Sequence, residues 1–218
     1  MTTPSPQQIK EGYAVYTPFM LSIYDWAVIG FLGQLWHCPA HYYQAHYQTH
    51  ITDNHLDVGV GTGYFLDNCR FSTQTPRIGL MDINPNSLNA AQRRIKRYTP
   101  EIYRQNILEP LQIQPHPFDS IGLNGLLHCL PGTIEEKSVV FDHLKTLMAP
   151  GAIIFGSTLV NQGITKNRLQ GWALHRMNRL KVLHNTTDDP KDLEMALAQR
   201  FKESQVRVIG CMALFWAK

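Results

Sequence analysis

Paired cysteines are missing from this chain. Its four cysteines, Cys38, Cys69, Cys129 and Cys211, stand far apart and form no C-x-x-C. That spacing argues against a zinc site and a disulfide framework, and for reduced thiols in a cytoplasmic setting. Charge is scarce as well, with 17% charged residues and a net charge of only +3. No basic stripe runs through the sequence, so nucleic acid is not an expected partner. The densest cluster, Arg93-Arg94-Ile95-Lys96-Arg97, falls at the end of a predicted helix, where it faces water and complements the helix dipole. Repeats and low-complexity tracts are absent. The first residues show no basic region leading into an apolar one, so no secretory signal is expected. One stretch, Tyr13 to Trp36, carries Asp25 as its single charge and contains Pro18. A central Asp costs about 2.5–3.5 kcal/mol in a bilayer. The stretch therefore reads as a segment folding over the rest of the protein, not as a membrane span.

What is present is enough apolar material, 44% of 218 residues, for one domain with a sizeable core. Residues 1–50 read as a loose tail and a helical lid broken near Pro18 and Pro39, and 51–218 as the main domain. There a short apolar strand, His55-Leu56-Asp57-Val58, runs into Gly59-Val60-Gly61-Thr62-Gly63. A second strand, Ile78-Gly79-Leu80-Met81, ends in Asp82. Glycines let backbone approach a ligand at positive φ, and an acid at the tip of the next strand can accept both hydroxyl protons of a ribose. A dinucleotide site needs G-x-G-x-x-G, yet Tyr64 and Leu66 stand where its last glycine would be. Asp57, two residues before the first glycine, would repel a pyrophosphate and suits a cationic ligand. A nicotinamide-dependent oxidoreductase fails on this spacing.

Asp57-x-Gly59-x-Gly61-x-Gly63 followed by Asp82 resembles the first two motifs of the class I S-adenosylmethionine-dependent methyltransferases of the small-molecule type. The resemblance implies S-adenosyl-L-methionine as cofactor and S-adenosyl-L-homocysteine as product. It implies that Gly59, Gly61 and Gly63 line the amino-acid end of the cofactor and that Asp57 holds the loop or meets its ammonium group. Asp82 would take the ribose hydroxyls, with Ile83 packed on the adenine. The family often has an acid after strand three, where this chain has Arg104-Gln105-Asn106-Ile107. The oxygen of Asn106 can accept the same hydrogen bond, beside Ile107, and Asn106 is equally well read as a turn residue.

The remaining elements alternate. Asn84-Pro85 opens a helix, a short third strand lies near Ile102-Tyr103, and a fourth covers Phe118 to Asn124. Thr133 to Glu136 is a capping box for a helix with Val140, Leu144, Leu147 and Met148 on one face, and Ala149-Pro150-Gly151 ends it. Ala152 to Thr158 reads as a buried strand. A helical insertion of about 160–200 follows, with one helix over about 164–182 and another capped by Asp189-Pro190. Val206 to Ile209 and Met212 to Trp216 close the chain as an antiparallel hairpin or one bent strand. The class is α/β. From the family comes the expectation of a Rossmann-like, mostly parallel seven-stranded sheet with an antiparallel last strand and helices on both faces.

Ligands in such sheets bind beyond the strand carboxyl ends, which adds Asn124 to the cofactor residues. His128, just past strand four, is the candidate general base, with a neutral-range pKa; a structural histidine is the competing reading. Ten aromatic residues fall between Tyr13 and Tyr47. Packing on the sheet edge explains most of them, while Tyr16, with His128 and with Trp172 from the insertion, is expected to wall an apolar acceptor pocket. His37, His41, His46 and His50 hold two i,i+4 pairs, but no carboxylate or cysteine completes them and Pro39 interrupts the first. No metal is expected. The sum is a methyltransferase for a small, fairly apolar metabolite, acting at oxygen before nitrogen or sulfur. Modification of protein or RNA, and a non-catalytic cofactor-binding partner protein, are the alternatives. Oligomeric state stays open, a homodimer included.

Overall fold

A computed structural model describes residues 33–218. Helix α1 (Ala40–His50) leads into β1 (Asn54–Val58), α2 (Tyr64–Asn68), β2 (Arg77–Asp82), α3 (Pro85–Arg94), β3 (Glu101–Arg104) and β4 (Phe118–Asn124). Then come α4 (Ile134–Lys137), α5 (Val139–Lys145), β5 (Met148–Leu159), α6 (Arg168–Arg179), α7 (Pro190–Ala198), β6 (Ser204–Ile209) and β7 (Met212–Ala217). The strands form one sheet in the order β3-β2-β1-β4-β5-β7-β6. Neighbours pair in parallel from β3 to β5, and β7 runs antiparallel to both β5 and β6. The sheet is the seven-stranded, mostly parallel one that the family resemblance implied.

Strand alternation divides the core between the two faces. Ile78 and Leu80 of β2 pack with Leu88, Ala91 and Ile95 around α3 and with Tyr47 of α1. Met81 points the other way, into a cluster with Phe141 and Leu144 of α5 and Leu193 and Leu197 of α7. Helices thus cover both faces, and β1 and β4 are buried on both sides. In β1 this puts Leu56 and Val58 on the α5/α7 side, and His55 and Asp57 toward Tyr47.

Local signals account for most helix starts. Asn84 accepts from the Asn86 amide with Pro85 next, Asp189 accepts from Lys191 with Pro190 next, and Thr133 and Glu136 complete their capping box. Helix α6 begins later than expected, at Arg168, because Asn167 and Gln170 form a second capping box. Met148 does not sit on a helix face. Helix α5 ends at Lys145, and Met148 pairs with Phe118 as the first residue of β5. The Phe118 amide bonds the Leu147 carbonyl, and Pro150 disfavours helical backbone at Ala149, so the chain joins the sheet early. A register shift between Phe118 and Ser120 absorbs the extra residues.

Candidate functional site

The order β3-β2-β1-β4-β5 reverses direction between β1 and β4, and the carboxyl ends of these strands open a cleft there. The glycine turn builds its floor. Gly59, Gly61 and Gly63 have φ of +71°, +51° and +74°, where an L side chain is strained. The Gly59 amide bonds Met81 O at 2.9 Å, tying the turn to β2. A Cβ at Gly63 would lie 3.0 Å from Ala91 Cα on α3. A Cβ at Gly61 would meet nothing within 4 Å, because it would stand in the cleft itself. Gly63→Ala should therefore cost about 2 kcal/mol or more, from left-handed strain plus the clash. Gly151→Ala, with φ of +77° and open space around it, should cost only the strain. Equal losses in the two urea midpoints would remove the packing argument.

Two connected hollows flank this turn. The first, about 800 Å³ of open space, is lined by Asp82, Ile83, Asn106, Ile107, Asn124 and neighbouring residues. The Asp82 carboxylate accepts the Asn84 amide at 2.8 Å. Burial nonetheless pushes its pKa up to about 6, against the backbone N–H groups of Asn84, Val60 and Ile83. It has acceptor capacity left for hydroxyl donors. Asn106 lines the hollow with both ends of its amide engaged: Nδ2 donates to Glu109 and Oδ1 accepts from the Leu108 amide. That is the turn-residue role, and it leaves an adenine contact to a remaining lone pair.

The second hollow, about 740 Å³, is mostly apolar and has Trp36, Tyr43, Phe65, Leu159 and Met212 in its wall. Gly59, Gly61, Asn124 and Gly125 border both hollows. Asn124 accepts from Ser157 Oγ at its own Oδ1, while its Nδ2 is buried without a partner. An orphaned donor at the junction suits an anionic or carbonyl group of a ligand. Asp57 also lines this hollow and is held from behind: Tyr47 Oη donates to its Oδ1 at 3.3 Å. His55 Nε2 lies 3.1 Å from the same phenol, and Ser120 Oγ lies 2.8 Å from His55 Nδ1.

His128 follows β4 in a one-turn helix, Leu127–Cys129, and its ring lines the second hollow. Its Nδ1 accepts the Leu159 backbone amide at 3.0 Å and lies 3.3 Å from Thr158 Oγ1. Burial and then the Lys137 charge push its pKa down to about 3. A general base would need that nitrogen's lone pair free.

Trp172 is not in the wall. It is 64% exposed on α6, whose buried residues are Gln170, Ala173 and Leu174, so position 172 falls on the outward side of the helix. The tryptophan that does line the hollow is Trp36, which sequence reasoning passed over, together with Phe65, Leu159 and Met212. These come from separate regions of the chain, and no local signal joins them. Tyr16 lies outside the described residues, as does most of the Tyr13–Trp36 stretch. Among the described residues no helix is long and apolar enough to cross a membrane. The histidine run lies elsewhere: His46 bonds Phe215 O and its ring packs on His50.

The hollows fit an adenosyl cation. They offer open space at Gly61, a carboxylate at the tip of β2 and an unpartnered amide where they meet. Comparison with known proteins agrees. A family described as "Methyltransferase domain" matches residues 56–154. The chain is 39% identical to demethylluteothin O-methyltransferase of Streptomyces thioluteus, over 97% of this chain and 92% of that one. It is 33% identical to the physcion biosynthesis cluster O-methyltransferase of Aspergillus chevalieri, over 98% and 97%. The solved DhpI complex with S-adenosylhomocysteine shares the fold, with a TM-score of 0.70 at 14% identity over 99% of this chain and 98% of that one. With this turn, this acid and relatives similar along nearly their whole length, the chain belongs to the class I S-adenosylmethionine-dependent methyltransferases of the small-molecule type.

Proposed function

We propose that the protein moves the methyl group of S-adenosylmethionine to a hydroxyl oxygen of a small, largely apolar metabolite. The observation that carries this reading is the apolar second hollow, which opens onto the glycine turn opposite the hollow that ends at Asp82. Asp82 would take the ribose hydroxyls, Ile83 and Ile107 the adenine faces, with Asn106 at its edge. Gly59, Gly61 and Gly63 would bring backbone against the amino-acid end, where Asp57 faces the ammonium group and Asn124 Nδ2 the carboxylate. When bound, the cofactor supplies an electrophilic methyl group on a sulfonium. The protein's share is orientation and exclusion of water, and the rings of Trp36, Tyr43 and Phe65 favour a cation beside them. A net charge of +3 without a basic stripe supports a small-molecule acceptor over nucleic acid.

Names of relatives support oxygen: two act as O-methyltransferases. Nitrogen is the second reading, since the chain is also 31% identical to the N-methyltransferase vrtF of Penicillium aethiopicum, over 84% of this chain and 76% of that one. Isothermal titration with S-adenosylmethionine, followed by turnover with matched phenol, aniline and thiophenol acceptors, tests both halves. Binding with methylation of the phenol is expected. Preference for the aniline would move the acceptor atom to nitrogen, and no cofactor binding would sink the assignment.

Replacing Asn124 probes the junction. Asn124→Asp keeps the shape but turns the orphaned donor into an acceptor. Cofactor affinity should fall about tenfold or more, because a like charge would face the carboxylate. Unchanged titration curves would take Asn124 out of the cofactor site.

A further inference from the structure

We propose that His128 serves methyl transfer as a fixed Nε2–H hydrogen-bond donor, and that the acceptor is an acidic conjugated hydroxyl, an enol or phenol, which reacts as its oxyanion. This inference rests on the methyl-transfer reading above and names the substrate class of the same site.

The geometry begins at β5. Leu159 donates its backbone N–H to His128 Nδ1 at 3.0 Å. A backbone amide in a paired strand cannot turn away, and Leu159 pairs with Met212 across the sheet. A neutral imidazole has one acceptor nitrogen and one N–H. With Nδ1 accepting, the hydrogen sits on Nε2. The backbone that carries the ring is held as well, since the His128 carbonyl accepts the His184 amide at 2.7 Å. Protonating the ring would set Nδ1–H against the Leu159 N–H, donor facing donor. Burial and the nearby Lys137 charge oppose protonation in the same direction.

Among the described residues, the charged and titratable groups around the ring give no substitute base. Lys137 is held by Asp188, with both carboxylate oxygens within 2.9 Å of Nζ. Cys129 Sγ donates to Gly125 O. Asp57 shares the hollow but accepts Tyr47 Oη. Tyr64 Oη accepts from Gln44, and the Tyr43 side chain hydrogen-bonds Cys38. All ten histidines lie at or beyond position 37, and among the described residues lining either hollow His128 is the single one.

An acceptor served by these described groups sheds its proton to water before reaction. The oxyanion then takes the methyl carbon as the C–O bond forms and the C–S bond breaks. Sulfur keeps the electron pair, a cation and an anion become two neutral products, and His128 ends with the proton it began with. Its Nε2–H holds the acceptor in its ionised form and aims the oxygen at the methyl carbon.

Nitrogen-15 NMR of histidine-labelled enzyme with S-adenosylhomocysteine reads the tautomer without turnover, and the His128→Gln variant assigns the resonance. The expected result is Nε2–H, unchanged from pH 5 to 9. An Nδ1–H tautomer, or titration near neutrality, would overturn the proposal. Turnover of 4-hydroxy-6-methyl-2-pyrone and of 2-naphthol is the second arm. The rising limb of kcat/KM should follow each acceptor's own acidity, whereas a limb common to both marks an enzyme base. His128→Gln keeps a donor but cannot be a base. It should stay within about tenfold of wild type in kcat, while His128→Ala loses about a hundredfold. Equal losses would restore the base, and no turnover of either probe by enzyme that binds cofactor would overturn the substrate class. Failure to bind cofactor would instead sink the methyl-transfer reading.

Discussion

Asp82→Ala should weaken S-adenosylhomocysteine binding about a hundredfold in isothermal titration, while the fold stays intact by circular dichroism. The carboxylate stands at the tip of β2, and hydrogen bonds to a charged acceptor contribute about 1.5–3 kcal/mol each. Two lost hydroxyl contacts, partly replaced by water, amount to roughly 3 kcal/mol, or two decades in Kd. An affinity within threefold of wild type would remove the ribose role. The wild-type protein offers a matching pH dependence. Burial raises the Asp82 pKa from 3.8 to about 6, so the folded state binds more protons than the unfolded one between those values. On its own this group makes the ligand-free fold less stable as pH rises from 4 to 6. Cofactor binding has the opposite sign, because the carboxylate is the form that accepts two hydroxyl protons. Affinity should be full above pH 6 and fall as pH drops through it. A flat profile from pH 7 to 5 would contradict the assignment.

Lys137→Met should lower the unfolding free energy by about 3–5 kcal/mol, the usual cost of stranding one member of a buried pair. The side chains of Lys137 and Asp188 are 1% and 0% exposed, and Nζ also donates to His184 O at 2.6 Å. Burial pushes the Asp188 carboxyl up to about 6 and the lysine down, so each charge depends on the other. Removing both with Lys137→Met and Asp188→Leu should recover most of the loss, since desolvation is then avoided on both sides. In thermal unfolding the single variant should drop by about 10 °C. A single variant that loses under 1 kcal/mol would show that water reaches Asp188. Function should follow, because the clamp anchors a segment that bonds two residues lining the apolar hollow. Asn185 Nδ2 bonds Leu159 O, and His184 N bonds His128 O.

Legibility in the sequence tracked the range of the interaction. The glycine turn, Asp82 and the Asn84-Pro85, Thr133–Glu136 and Asp189-Pro190 starts are local devices, decided within a few residues by backbone sterics and caps. They stand where the residues placed them. Expectation went astray where a partner distant in sequence decides. Met148 was given to a helix by its spacing, but Phe118 captured its backbone for the sheet. Trp172 was assigned to the pocket by its place in the insertion, yet the stripe that α6 buries is set by neighbouring core residues such as Leu159 and Met212.

The chain's residues by themselves determined a cationic, ribose-bearing ligand, and through the family they resemble, the methyl donor. A turn that only glycine can make, an acid that repels pyrophosphate and a second acid one strand later are read without coordinates, because each depends on local stereochemistry and charge. The tertiary structure alone decided which side chains line the apolar hollow beside the glycine turn and how His128 is held. Trp36, Phe65 and Met212 converge through sheet pairing and packing across the whole chain. The Leu159 amide reaches His128 only because β5 lies beside β4. A histidine's tautomer is set by the partner that the fold delivers to it, and no run of sequence around His128 contains that partner.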